Sequence, residues 1–588
     1  MTTRHVRTLV FAFLSFAPAA LFAQTTTNQA DQRLKTLYDT EWEWRQKEEA
    51  RVPGEFGSHA DDDHLPRVDA ASQQRRLEYW QKTLAELDQI PLEQLSPAEK
   101  INAQVFRAVI EEEVVDVRYK SYEAPINSDT FFWSEFTPRE GLENAAEYRR
   151  YLGRLRDAPR YFDENIVNMR AGLKRGFTVP KVSITGRDRT IEPYLQADDT
   201  NPLWLTFTLM PSSIPQDEQE KMRTEGRRLI AALVPAYSKL LDFIRNEYLV
   251  KARTTLAAEK LPDGKAYYQA MIKKFTTLDL TAEQIHQIGL SEVARIKGEM
   301  QTTMQKTGFK GTLPEFITFL RTDPQFYAKT PHELLADATY VLKKMDGKLK
   351  DTIGFLPRYR HGVIAVPDSI APIYTGGRGG LEYCMFNTYN LPARPLYTLP
   401  ALALHECTPG HSFQAALALE QPEQPGFRKE QYFSGYGEGW GLYTEWLGKE
   451  IGIYETPYEE FGQLTYEIWR AARLVVDTGI HHYGWSREQA LAYMKDTVPL
   501  SEHEITTEVD RYIAWPGQAV AYKLGQMQIL RHRREAQQAL GPKFDQRKFH
   551  DAILALGAVP LPVLAERMTK FIADGGENPQ PQPSGVSP

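Results

Sequence analysis

Residues 399–414 read Leu-Pro-Ala-Leu-Ala-Leu-His-Glu-Cys-Thr-Pro-Gly-His-Ser-Phe-Gln. The apolar run Leu399–Leu404 carries no charge and reads as a buried helical segment. It delivers His405 and Glu406, and His411 follows six residues after His405. Two imidazoles around a carboxylate are the donors of a divalent-metal site. In the common four-residue spacing both histidines share one helical face. Six steps turn an ideal helix by about 240°, so an unbroken helix would aim His411 away from His405. Pro409 lacks an N–H and clashes with the preceding turn, and Gly410 supplies dihedral freedom. Two outcomes are open. The helix kinks or breaks, and the two extra residues are absorbed so that His411 swings back. Or one helix ends at Thr408, another starts at His411, and both histidines make ordinary hydrogen bonds. We expect the first.

The segment Gly437-Glu438-Gly439-Trp440 lies 27 residues beyond His411, far enough for a second helix to pack back on the first. Two histidines and a glutamate leave a fourth position open on a zinc ion, so the metal set is His405, His411 and Glu438. Glu445 stands two turns beyond Glu438 on roughly the same face. It is either the ligand instead or a group that orients a ligand histidine. We favour Glu438, because Gly437 and Gly439 let helices approach closely there. Glu406, beside a ligand in sequence, is placed to act as general base.

Working outward, helical periodicity dominates. It predicts helices over 72–87, 100–117, 142–173, 216–258, 282–305 and 331–349. Ser96-Pro97-Ala98-Glu99 has a capping serine, proline at the first position and glutamate at the third. Strand patterns are confined to 362–367 and 380–388, with the Gly-rich 375–380 between them. That stretch lacks the Lys-Ser/Thr ending of a phosphate loop. It reads as a turn feeding an edge strand able to hold an extended peptide, with Arg378 and Tyr383 as substrate-binding candidates. The fold class is mostly α with a small β element near the His405 helix.

The chain has 588 residues, 42% hydrophobic and 25% charged, enough for a large core in one big domain or two intimate ones. A net charge of -7 and a pI of about 6.1 argue against nucleic acid or an anionic membrane as partner. Arg4 and Arg7 precede the apolar stretch Leu9–Leu21, which suits a secretory signal cleaved after Ala23. No cysteine lies near that cut, so we expect an exported, periplasmic protein with no lipid anchor and no stable membrane insertion. The expected divisions are signal peptide 1–23, disordered linker 24–32, helical scaffold 33–255, catalytic region 256–574 and flexible tail 575–588. Of the two cysteines, Cys384 and Cys407, a bridge and a pair of buried thiols are both open. We expect free thiols.

Four segments together resemble a known family. They are HECTPGHSFQ (405–414), GEGWGLYTEWL (437–447), RLVVDTGIHHYGWSREQA (473–490) and RYIAWPGQAVAYKLG (511–525). They are similar to the bacterial domain-of-unknown-function family 885, which in turn resembles helical zinc peptidases of the gluzincin type. The resemblance implies two helical halves around a deep cleft and a single zinc ion held by His405, His411 and Glu438. It also implies Glu406 as base and short peptides as substrates. Where the family often has a further histidine, this chain has Ser412. The oxyanion of peptide hydrolysis needs a donor opposite the metal. Tyr512 and Tyr522 are the candidates, with Tyr512 ranked first for its Arg511-Tyr512 context. Arg473, Asp477 and His481, four apart, form a polar stripe on one helix. In the functional reading Asp477 orients His481 toward substrate. A zinc amidohydrolase on a non-peptide amide, and a non-catalytic binding protein on the same scaffold, are the rival functions.

Overall fold

The computed structural model describes residues 28–50, 63–135, 142–368, 370–420, 424–429 and 431–577. The signal-peptide segment 1–23 and most of the tail lie outside the described residues. The architecture is mostly α, as the periodicity predicts. Observed helices are Ala70–Leu87, Pro97–Arg118, Ala145–Arg175, Gln216–Phe243, Ala282–Lys306 and Pro331–Thr352. Ser96 caps its helix by accepting from the Glu99 N–H, with Pro97 in the first turn. The first helix begins at Gln29, so the expected linker is already helical by its last residues; Asn28 caps it.

The apolar cores do not divide at residue 255. The largest core joins Leu34, Trp80 and Phe106 of the first three long helices to Leu404, Trp440, Ile468 and Phe571. A second core gathers Trp133, Tyr151, Phe162, Leu233 and Tyr237. The N-terminal helices are therefore built into the body that carries the motif, and the separate unit is the stretch from about 126 to 252. Sequence periodicity finds the buried face of each helix but not which faces meet.

One helix organises the C-terminal body. Pro457–His481 opens with a capping box, Thr456 and Glu459 bonding each other's backbone, and every residue from Phe461 to His481 is buried. A helix enclosed on all sides must satisfy its polar side chains internally. Glu467 does so with Lys523 at 2.8 Å and Gln463 at 3.0 Å, and Arg473 with Glu508 at 2.8 Å. The expected polar stripe is thus an interior feature.

Three short strands cover the next site. The order is β1 (Gly362–Ala365), β3 (Tyr383–Phe386), β2 (Gly377–Arg378), with β1 parallel and β2 antiparallel to β3. The strand expected at the edge, β3, is central. The edges are β1 and β2, and β2 is formed by the Gly-rich stretch expected to be a turn, where Gly377 pairs with Phe386 and Arg378 with Met385. No helix among the described residues is long and apolar enough to cross a membrane.

Candidate metal centre

The His405 helix spans Leu399–Glu406 and stops there. The Cys407 N–H closes the last turn on Ala403, and Cys407 then leaves helical geometry at φ -106°, ψ -97°. The Thr408–Pro409 bond is cis, and a new helix runs His411–Glu420. Phe413 N donates to Cys407 O at 3.1 Å and Gln414 N to Gly410 O at 2.9 Å, so the new helix is hydrogen-bonded to the break itself. Only glycine fits at 410, because a Cβ there would fall on the carbonyl oxygen of His405. The helix therefore breaks, as in one alternative, yet His411 returns to His405, as in the other.

Cys407, in the break, is disulfide-bonded to Cys384 of β3, with Cα atoms 5.6 Å apart. The expected free thiols are thus a bridge. Pairing of β3 within the sheet brings its backbone alongside the break at bridging distance, which spacing in the sequence does not reveal.

Glu438 comes from the helix Ser434–Glu450, which meets Ala521–Leu540 backbone to backbone. A Cβ on Gly439 would lie 2.6 Å from the Gly525 Cα, so the expected close approach occurs at Gly439, whereas Gly437 faces Tyr432. Glu438 Oε2 sits 3.4 Å from His405 Nε2 and 3.3 Å from His411 Nε2. The three donor atoms lie within 4.8 Å of one another. Two atoms each about 2.05 Å from a tetrahedral zinc ion are about 3.3 Å apart, so the donor types and the two Glu438–imidazole separations fit zinc. The imidazole of His405 is turned to present Nε2 because its Nδ1 meets Glu445 Oε1 at 2.7 Å, both side chains fully buried. Arg470 Nη2 stands 3.4 Å from the same oxygen. Glu445 is thus the group behind the ligand, and Glu438 the one facing it. Burial opposes charge on His405, but the hydrogen bonds it donates to Glu438 and Glu445 raise it to about 10. The carboxyl of Glu438, despite its burial, is held well below the usual range by His411 and His405.

Around this triangle, Glu406 Oε2 accepts the Gly379 N–H at 2.7 Å, just beyond β2. Arg378 is exposed on β2; partial burial of its guanidinium opposes its charge, but the neighbouring Tyr374, Glu406 and Tyr432 raise its pKa. Tyr522 stacks parallel to His405 with ring centroids 6.4 Å apart, and its hydroxyl accepts from Arg511 Nη2 at 3.3 Å. The ranking of the two tyrosines reverses here. Tyr512 is 1% exposed and its oxygen accepts from Trp469 Nε1 and Arg473 Nε, both at 2.9 Å, which ties it to the interior helix. His481 is also sealed away. Its Nδ1 accepts from Ala258 N and its Nε2 meets the Tyr512 carbonyl, while burial depresses it to about 3. Asp477 accepts from the Tyr268 hydroxyl at 2.6 Å and from Gly517 N, and burial raises it to about 7. It does not orient His481: the one-turn spacing placed them on one face, but tertiary partners claimed each. Tyr383 lies against Gly362 of β1, not over β2. One site residue that no sequence signal picks out is Tyr432, whose ring stands edge-on to His411 at 6.4 Å and whose phenol is within electrostatic reach of Glu438.

These features define a helical protein with a two-histidine, one-glutamate candidate metal centre beside an edge strand. The chain belongs to the family described as bacterial proteins of unknown function, DUF885, whose model matches residues 52–568. It is similar to the crystal structure of a candidate lipoprotein from Colwellia psychrerythraea, with 26% identity and a TM-score of 0.83 over 93% of this chain and 100% of that one. A candidate lipoprotein of unknown function from Shewanella oneidensis shares the fold, at 18% identity and a TM-score of 0.66 over 92% and 99% of the two chains. No curated protein matches.

Proposed function

We propose that the protein is an exported zinc-dependent peptidase acting on short peptides. The observation that carries this reading is the donor triangle, with zinc-like spacing and Glu406 on the adjoining turn. A zinc ion held by His405, His411 and Glu438 would supply a Lewis acid and lower the pKa of a coordinated water. Glu406, oriented by the Gly379 N–H, takes a proton from water and returns it to the leaving amine. Tyr522 donates to the carbonyl oxygen as negative charge develops there. Its own oxygen already accepts from Arg511, which leaves the phenolic proton free to point at substrate. The β2 edge can hold an extended backbone by main-chain hydrogen bonds, and Arg378 can pair with a substrate carboxylate. The likeness to gluzincin peptidases supports this reading through the motifs alone.

Export is supported by the N-terminal Arg-then-apolar pattern and by the Cys384–Cys407 disulfide, a bond that persists in oxidising compartments. The relative from Colwellia psychrerythraea is described as a lipoprotein, which fits the same placement.

The test is the metal content of the purified protein, wild type beside Glu438→Ala, followed by a peptide panel with Glu406→Gln. We expect a single zinc ion per chain, lost in Glu438→Ala. Glu406→Gln should keep its zinc and lose turnover. A wild type that takes up no zinc in excess metal would overturn the reading. Zinc uptake with cleavage of non-peptide amides only would turn it to the amidohydrolase.

A further inference from the structure

Tyr432 precedes the Glu438 helix by two residues, in a segment where neither periodicity nor motif marks it. Its ring lies on the backbone of Gly437: a Cβ there would be 2.6 Å from the ring Cζ and 2.7 Å from the hydroxyl oxygen. The seat exists because residue 437 has no side chain. The ring is 49% exposed, so it adds little to the apolar core. It stands edge-on to His411, centroids 6.4 Å apart, on the side of the site where the Glu438 carboxylate lies within electrostatic reach of its hydroxyl.

We propose that Tyr432 is the positioning residue for Glu438, fixing the ligand carboxylate while metal is bound. This inference rests on the metal-site reading above. In the structure Glu438 Oε2 faces two imidazole nitrogens at hydrogen-bonding range. Those two contacts cannot survive metal binding as hydrogen bonds, because each ring nitrogen then gives its lone pair to the ion and carries no proton. The phenol is the donor that remains. A carboxylate has about four lone-pair sites, so Glu438 can bind metal through one oxygen and still accept from Tyr432. Ligating carboxylates are commonly held this way, and loss of such a partner typically lowers metal affinity by about 10- to 100-fold. His405 has its counterpart in Glu445; Tyr432 is the equivalent for the third ligand, approaching from the exposed side of the site.

The experiment is a zinc-affinity measurement by competition with a chelating dye, on wild type, Tyr432→Phe, Gly437→Ala and the double variant. Tyr432→Phe keeps the ring on its seat and removes only the hydroxyl. It should weaken zinc binding by about 10- to 100-fold with no change in the denaturant midpoint of the metal-free protein. Gly437→Ala displaces the ring and should weaken binding to a similar extent. The double variant should fall no further than the weaker single. Tyr432→Phe within twofold of wild type overturns the positioning role and leaves the metal site standing. A wild type that binds no zinc overturns both.

Discussion

The Cys384–Cys407 bridge makes a prediction independent of any metal. It closes a loop with a sequence separation of 23 and ties β3 to the break between His405 and His411. Chain-entropy reasoning for a loop of that length gives a stabilisation of about 3.5 kcal/mol. Both side chains are fully buried, so replacement of each by alanine adds a small void costing on the order of 1 kcal/mol. We expect the double variant Cys384→Ala/Cys407→Ala to be less stable by about 3–5 kcal/mol. The assay is urea unfolding with a chelator present, since bound metal would add its own stabilisation. Thiol titration of the denatured wild type without reductant runs beside it and should find no free thiol. Two titratable thiols, or a stability within about 1 kcal/mol of wild type, would refute the reasoning. The bridge also anchors the residue next to Glu406. Zinc affinity should therefore fall with it, and an unchanged affinity would mean that the helix break is held by its backbone bonds alone.

Three further predictions follow from the same geometry. Glu445→Gln removes the charge behind His405 Nδ1, and zinc affinity should drop by about 10- to 100-fold; wild-type affinity would show that Glu445 serves only Arg470. Tyr522→Phe should cut turnover by about 10²-fold or more, whereas Tyr512→Phe should leave turnover near wild type and cost about 1–3 kcal/mol of stability, because Trp469 and Arg473 lose their acceptor. Kinetics and unfolding on both variants separate the two roles, and the reverse pattern would restore the sequence-based ranking. Stability should also respond to acid. Burial holds His481 at about 3, and likewise His550, whose ring nitrogens meet the Tyr443 hydroxyl and the Thr352 carbonyl; both lie below the ordinary 6.5, so their contribution is intact above 6.5 and lost as pH falls from there toward 3. From pH 7 to pH 5 the pair costs about 4 kcal/mol. Asp477, raised from 3.8 to about 7, works in the opposite sense and returns about 2 kcal/mol over that interval. Glu112 and Glu113, raised by burial to about 8, oppose the histidines as well, so the histidine contribution is read by difference: His481→Gln should narrow the loss between pH 7 and pH 5 by about 2 kcal/mol, and an unchanged pH dependence would contradict the buried-histidine assignment.

The long helices were legible because each displays a 3.6-residue apolar stripe and several carry a written cap, as at Ser96. The candidate metal-binding cluster was legible because His405, His411 and Glu438 sit in local sequence contexts with their own backbone logic, proline and glycine in one and flanking glycines in the other. What stayed hidden depends on which surfaces meet. His481 and Tyr512 look like catalytic candidates until tertiary partners claim both ring nitrogens of one and the hydroxyl of the other. The place of β3 between two strands, and with it the disulfide, is set by a register that no local pattern encodes. Tyr432 lies against the start of the Glu438 helix only because Gly437 leaves it a seat.

The glycine crossing of the Glu438 and Ala521–Leu540 helices has a mechanical consequence. At Gly435, Gly439 and Gly525 the two backbones touch with no side chain between them, and interiors packed this densely do not compress or slide by small amounts. Glu438 rides on one helix and Tyr522 on the other, so the span from ligand to phenol is set like the fixed jaw of a vice. If the site acts on peptides as proposed, accommodation of larger or smaller ones would fall to the wall where β2 and Arg378 lie near Glu406.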